Sequence, residues 1–205
     1  MPLSSHFEPW EGNGYGSEAI GGLRLMVLGE SHYAAADDDS DSLTVDVVRA
    51  HLTGARREGF LSLWSSLLAG KRPFAHMSAH EVIESVVFSN FVQALAGEHH
   101  DNRPTETMWA AAAVPFCELL DAMRPDAVLV LGQATWNHIR FEKQDASKME
   151  GLQGEHRTWT RPDGNEIVAT WINHPRSHGF SGKRWEERVD HFLERAAAAC
   201  KKRRS

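Results

Sequence analysis

Four short apolar runs, separated by longer amphipathic segments, restrict the fold of this 205-residue chain more than any other feature. They span residues 23–28, 85–91, 127–131 and 167–172. A short run that is apolar at nearly every position is typical of a β-strand buried on both faces. Alternation of such strands with amphipathic helices indicates a mostly parallel sheet with right-handed crossovers. We therefore predict an α/β fold, a three-layer α/β/α sandwich with a central four-stranded, mainly parallel sheet.

Helical spacing of apolar residues marks the segments between the runs. Helices are predicted over residues 43–52, 60–68, 104–123 and 134–140, and a last helix begins near residue 185. Pro115 should kink the third helix, because proline has no N–H to donate and its ring crowds the preceding turn. Ser78 and Glu81 have the spacing of a capping box ahead of a short helical turn. A polar loop is expected from residue 141 to residue 154.

The pattern predicts one folded domain with two distinct ends. Residues 1–22 are expected to form an irregular N-terminal arm anchored by Phe7 and Trp10, because this stretch is rich in glycine. Residues 23–200 should form the α/β domain, and residues 201–205 a basic tail.

Charge and composition narrow the class of protein. A formal net charge of -6 argues against broad coating of nucleic acid, which needs many Lys or Arg contacts with phosphates. The first twenty residues show no basic stretch followed by an apolar run, and no stretch has the length of a membrane span. We expect a cytoplasmic monomer with no membrane partner. Spaced ligand clusters and full phosphate-loop patterns are absent from the sequence, so neither a metal nor another cofactor is expected.

Polar residues follow three of the four predicted strands. They are Gly29-Glu30-Ser31-His32-Tyr33, then Ser89-Asn90, then residues 173–179. In open parallel sheets, ligands bind beyond the carboxyl ends of the strands, and polar side chains buried there without partners would be costly. A pocket is therefore expected at this edge. Each of the three motifs also has a simpler structural interpretation. Gly29 could form a tight turn, Asn90 could cap a loop and His174 could be a surface loop histidine.

The three motifs, in this order, resemble the uracil-DNA glycosylase superfamily. Val27 to Tyr33 resembles the family's first motif, Phe88-Ser89-Asn90 its second strand end, and Asn173-His174-Pro175 its His-Pro-Ser motif. Residues 124–132 resemble its third strand. A bacterial subgroup is suspected from Phe7-Glu8-Pro9-Trp10 together with the Gly-Glu-Ser-His-Tyr motif.

The resemblance implies a DNA glycosylase of base-excision DNA repair, a hydrolase that cleaves the N-glycosidic bond of an extruded uracil or modified pyrimidine. His174 would donate to the leaving base, and Asn90 would read the edge of the base. Gly29, Tyr33 and Phe88 would shape the base pocket. The implied DNA-facing loop consists of Pro175, Arg176, Ser177, His178 and Gly179.

The chain departs from the family pattern at Ser31, where the best-known members carry Asp or Asn to position water. A serine hydroxyl is a poor general base unaided, so Glu30 or His32 could take over this role. The alternative is a catalytically silent module that binds a nucleobase, free or in single- or double-stranded DNA. Hydrolysis of a substrate other than nucleic acid also stays open, because a fold does not fix a function.

Overall fold

The computed structural model describes residues 5–99, 101–140, 144–148, 155–161, 163–177 and 180–204. Its strands are β1 (Trp10–Glu11), β2 (Leu25–Gly29), β3 (Val87–Asn90), β4 (Ala127–Leu131), β5 (Gln144–Lys148), β6 (Glu155–Thr160) and β7 (Glu166–Ile172). They form one sheet in the order β1-β3-β2-β4-β7-β6-β5.

The centre of the sheet is the parallel set β3-β2-β4-β7, which corresponds to the four apolar runs of the sequence. The predicted α/β class and the parallel centre are thus confirmed. The sheet is wider than the four strands predicted, because β1 joins β3 and the β6–β5 hairpin joins β7, all antiparallel. β1 has two residues, too few for a periodic pattern. β5 lies within the predicted polar loop, since its polar sequence contains no apolar run.

The helices are α1 (Leu43–Leu52), α2 (Gly59–Leu68), α3 (Ala79–Ile83), α4 (Glu106–Ala111), α5 (Ala113–Met123), α6 (Gln133–His138) and α7 (Glu186–Arg204). Ser78 and Glu81 form the predicted capping box, in which Ser78 Oγ accepts from the Glu81 N–H at 3.3 Å. The helix predicted over residues 104–123 is instead two helices. Pro115 lies in the first turn of α5, where its missing N–H costs nothing, so the chain breaks before it rather than bending around it.

Helices cover both faces of the sheet. Trp64 and Phe192 belong to the core between the sheet and α1, α2, α3 and α7. Phe116 and Trp136 belong to the core on the opposite face, under α4, α5 and α6. The described residues therefore form three layers, and the chain has hydrophobic cores on two sides of one sheet.

Both ends of the described chain pack onto this body. Phe7 is fully buried, and β1 extends the sheet, so residues 5–22 are anchored at several points. Residues 201–204, expected to belong to a basic tail, form the end of α7. Arg203 pairs with the buried Asp126 at 2.5 Å, which compensates a carboxylate that would otherwise be costly to bury. Within the described residues, no helix has the length and apolar character needed to cross a membrane.

Candidate functional site

A cavity of about 640 Å³ opens at the carboxyl ends of the parallel strands. The structure places Gly29, Ser31, Tyr33, Asn90 and His174 in its lining. These residues come from the end of β2 and the segment after it, from the end of β3 and from the segment after β7, because the carboxyl ends of neighbouring parallel strands meet at one edge. His32 and Phe88 line the same cavity.

A second cavity, of about 470 Å³, adjoins the first. Glu30 lies in its lining rather than in that of the larger cavity. Tyr33, His174 and Arg176 line both cavities, so these three side chains form the boundary between them. Glu30, Asn90 and His174 follow three of the predicted strands, so they were expected in one pocket. Asn90 and His174 share the larger cavity, whereas Glu30 lies in the smaller one, behind the boundary.

Gly29 and Asn90 are paired residues of adjacent strands. A Cβ atom at residue 29 would collide with Oδ1 of Asn90, so the close approach of this side chain requires glycine. Asn90 is 5% exposed, and its backbone oxygen accepts from Gln93 Nε2 at 2.6 Å. Its side-chain amide has no hydrogen-bond partner among the residues that the structure describes. Because Asn90 lines the cavity, the donors and the acceptor of this amide are available to a ligand.

The requirement for glycine gives a first testable prediction. Gly29→Ala should lower the free energy of unfolding by about 1–3 kcal/mol, because the added methyl group must displace Asn90 or separate two central strands. Gly59→Ala is the matched control, since no atom lies within 4 Å of a Cβ at that helical position. Urea unfolding of both variants measures the effect. Equal stability of Gly29→Ala and wild type would show that this close approach is not needed.

His174 is held as a neutral imidazole. Burial, with smaller contributions from the nearby Arg176 and Arg103, lowers its pKa to about 4. The backbone N–H of Arg176 donates to His174 Nδ1 at 3.2 Å. Because Nδ1 accepts, the ring proton is assigned to Nε2. The side chain can therefore donate a hydrogen bond to a ligand without carrying a charge.

Glu30 is an oriented carboxylate with one oxygen free. It is 8% exposed, and its Oε1 accepts from the Tyr33 hydroxyl at 2.8 Å and from Arg103 Nη1 at 3.2 Å. Both contacts use the same oxygen, so Oε2 has no partner among the described residues. Burial, together with Glu30 itself, raises the pKa of Tyr33, which keeps this phenol protonated as a donor.

Ser31 and His32 differ in how firmly they are held. The Ser31 hydroxyl forms a long hydrogen bond of 3.4 Å with the His32 carbonyl and also interacts with the Tyr33 side chain. His32 Nε2 forms a 2.7 Å hydrogen bond with Thr44 Oγ1, and its ring packs edge-on against Phe7 at 4.7 Å. Burial lowers the pKa of His32 to about 4. His32 is thus a neutral wall residue anchored by α1 and the N-terminal arm.

An ion-pair network on the rim is a feature that the sequence did not indicate. Glu58, only 4% exposed, accepts from Arg56 Nε at 2.7 Å and from Arg176 Nη2 at 2.9 Å. Arg176 also lies over the ring of Phe60, 5.1 Å from its centroid. A charged residue in the polar linker before α2 is normally solvated, so nothing local predicts that Glu58 is buried in the site wall.

The remaining residues of the expected DNA-facing loop are only partly accounted for. Pro175 is buried and Ser177 is exposed next to the second cavity. His178 and Gly179 lie outside the described residues.

Phe88 is 2% exposed, and its ring stacks on Trp64 with an interplanar angle of 13°, so it forms an apolar part of the wall.

Across the described ranges, no group of three His, Cys, Asp or Glu side chains is placed to hold a metal ion. Comparison of the chain with models of known protein families and with curated proteins gives no match. Its function is therefore inferred from the geometry of the two cavities.

Proposed function

We propose that this protein is a DNA glycosylase of the uracil-DNA glycosylase type, which hydrolyses the N-glycosidic bond of an extruded uracil or modified pyrimidine. One observation carries the proposal: the unpartnered amide of Asn90 and the neutral imidazole of His174 line the same cavity at the carboxyl ends of parallel strands. The resemblance of the three strand-end motifs to that superfamily supports the same assignment.

The amide of Asn90 suits recognition of a pyrimidine. Its carbonyl oxygen and NH₂ group can pair with the donor and acceptor on the edge of a flipped-out base. Phe88 supplies an apolar surface beside it, so the base would exchange stacking in DNA for contact with the wall.

Bond cleavage leaves an anionic base and an oxocarbenium-like sugar. A neutral donor aimed at the growing negative charge stabilises that transition state more than the ground state. In this scheme His174 donates from Nε2 to an oxygen of the departing base. Since Nδ1 is already occupied by the Arg176 N–H, the donor is oriented before the base arrives.

Glu30 is the residue best suited to orient the attacking water. Tyr33 and Arg103 hold one carboxylate oxygen, which leaves the other to accept a hydrogen bond from water. A negative carboxylate in the smaller cavity, bonded to the boundary residue Tyr33, also favours the cationic sugar. Ser31 offers a hydroxyl without a base next to it, so it is assigned to the wall.

A second function is favoured by the position of Glu30. Glu30 lines the smaller cavity, whereas the neighbouring Ser31 lines the larger one. If water cannot reach the sugar from there, the protein is a base-binding module that uses Asn90 and His174 for recognition alone. The two functions share one ligand class and differ only in chemistry.

A panel of oligonucleotides separates these functions. Single-stranded and duplex DNA containing uracil, thymine mismatches, hypoxanthine or modified cytosines would be incubated with the protein and scored for abasic sites. We expect abasic sites at one or more pyrimidines, and none with Asn90→Ala under the same conditions. Binding of a modified strand without any abasic product would instead identify the binding module.

A further inference from the structure

Negatively charged groups outnumber positively charged groups in the lining of the larger cavity. Four carboxylates and two guanidinium groups line it: Asp37, Asp38, Asp46, Glu58, Arg56 and Arg176. Both guanidinium groups pair with Glu58. Asp46 bonds with Ser42 at 2.6 Å and with Arg49 at 3.4 Å. The two remaining carboxylates, Asp37 and Asp38, have no ion-pair partner among the described residues.

The deeper part of the cavity opposes this acidic rim with neutral groups. His32 and His174 both have a pKa of about 4 and so carry no charge near neutral pH. Asn90, 5% exposed and without a partner for its amide, presents neutral hydrogen-bonding atoms. These three residues of the lining are therefore uncharged, and the exposed part carries the unpaired negative charge of Asp37 and Asp38.

The cavity is also larger than one pyrimidine ring requires. Its volume of about 640 Å³ lies within the range of roughly 300–1,000 Å³ that is usual for sites binding drug-sized molecules. The cavity therefore has room for a substituent on the base, and Asp37 and Asp38 belong to its lining together with Asn90.

We propose that the preferred ligand is a pyrimidine with an amine-bearing substituent, whose ammonium group lies against Asp37 and Asp38 while Asn90 holds the ring. The inference rests on the proposed function for the identity of the ring and adds the class of substituent. Opposite charges at a partly solvated rim attract modestly, and the attraction is screened by salt. An unpaired acidic rim also repels phosphate, which directs the DNA backbone away from this end of the cavity.

Two nucleosides of nearly equal shape provide the test. 5-Aminomethyl-2′-deoxyuridine is cationic at neutral pH, and 5-hydroxymethyl-2′-deoxyuridine is its neutral counterpart. Calorimetric titration of the wild-type protein should show about fivefold tighter binding of the amine, as expected for two solvated charge contacts. The preference should shrink as salt is raised. Both nucleosides should bind more weakly to Asn90→Ala.

Two double variants distinguish the effect of the cavity rim from that of net charge. Each removes two carboxylates from residues 37–41. Asp37→Asn/Asp38→Asn should abolish the preference by lowering the affinity for the amine to that for the hydroxymethyl nucleoside. Asp39→Asn/Asp41→Asn removes the same charge from residues outside the cavity lining and should keep the preference. Equal loss of the preference in both double variants would overturn the proposal, as would equal binding, or no binding, of the two bases in every form tested.

The same pair of bases placed in a single-stranded oligonucleotide tells whether the ligand is a free nucleoside or a base in a strand. A preference for the amine in either form supports the inference, and equal binding in both forms contradicts it. Scoring abasic sites in the oligonucleotide keeps this result separate from the proposed function. Amine preference without cleavage overturns only the glycosylase, whereas cleavage without amine preference overturns only the inference.

Discussion

Glu30→Gln is expected to reduce single-turnover release of the base by about 10²–10⁴-fold, the contribution usual for a positioned acid or base. The amide keeps the shape of the side chain and can still accept from Tyr33, but it cannot take a proton from water or favour a cationic sugar. The measurement is the rate of abasic-site formation with enzyme in excess over the strand. Binding of the same strand should change little.

Ser31→Ala is the matched variant one residue along the chain. It should keep most of the activity, because the Ser31 hydroxyl contacts only weak partners, the His32 carbonyl at 3.4 Å and the Tyr33 side chain, and neither acts as a base. Ser31→Asp places a carboxylate in the larger cavity and is expected to raise excision of uracil. If Ser31→Ala proves as inactive as Glu30→Gln, the water is oriented from the larger cavity and the role given to Glu30 is wrong.

His174→Ala is expected to lower single-turnover cleavage by roughly ten- to a thousandfold, as for the loss of one preorganised donor to developing charge. Affinity for DNA should hardly change, because the donor acts mainly in the transition state. Asn90→Ala should weaken both binding and cleavage. His76→Ala is the control, since this histidine is exposed and lies outside both cavities.

The protonation state of His174 gives the same prediction a second readout. With a pKa of about 4, the imidazole stays neutral near neutral pH, so the wild-type rate should show no titration of this group between about pH 6 and 8. A limb in the rate profile that His174→Ala removes would mean that the histidine is charged in the working pH range. Absence of base release by wild type, combined with base binding that His174→Ala destroys, would establish the binding module.

The local sequence pattern was sufficient to predict the elements at the centre of this fold. Apolar runs predicted all four parallel strands, since a strand buried on both faces must be apolar at nearly every position. Ser78 predicted a capping box, because its partner lies three residues away. The three polar strand ends were visible for the same reason: a parallel sheet gathers the residues that follow its strands at one edge.

Edge strands and core aromatics depended on tertiary structure. β5 and β6 contain polar residues because an edge hairpin needs no continuous apolar face, so no local signal marked them. The pattern assigned no role to Trp136 and Trp159, yet both are 2% exposed in one core. Arg157 lies over the Trp136 ring at 3.9 Å, a pairing that forms only when β6 joins the sheet.

The same distinction between local pattern and tertiary structure applies to the residues of the site. The sequence by itself determined which polar residues lie at the carboxyl edge, because that follows from strand order and strand ends. Only the tertiary structure decided that Glu30 and Asn90 line different cavities, and that Arg176 closes onto Glu58 from 118 residues away. Such contacts depend on how separate segments pack, so they cannot be predicted from spacing along the chain.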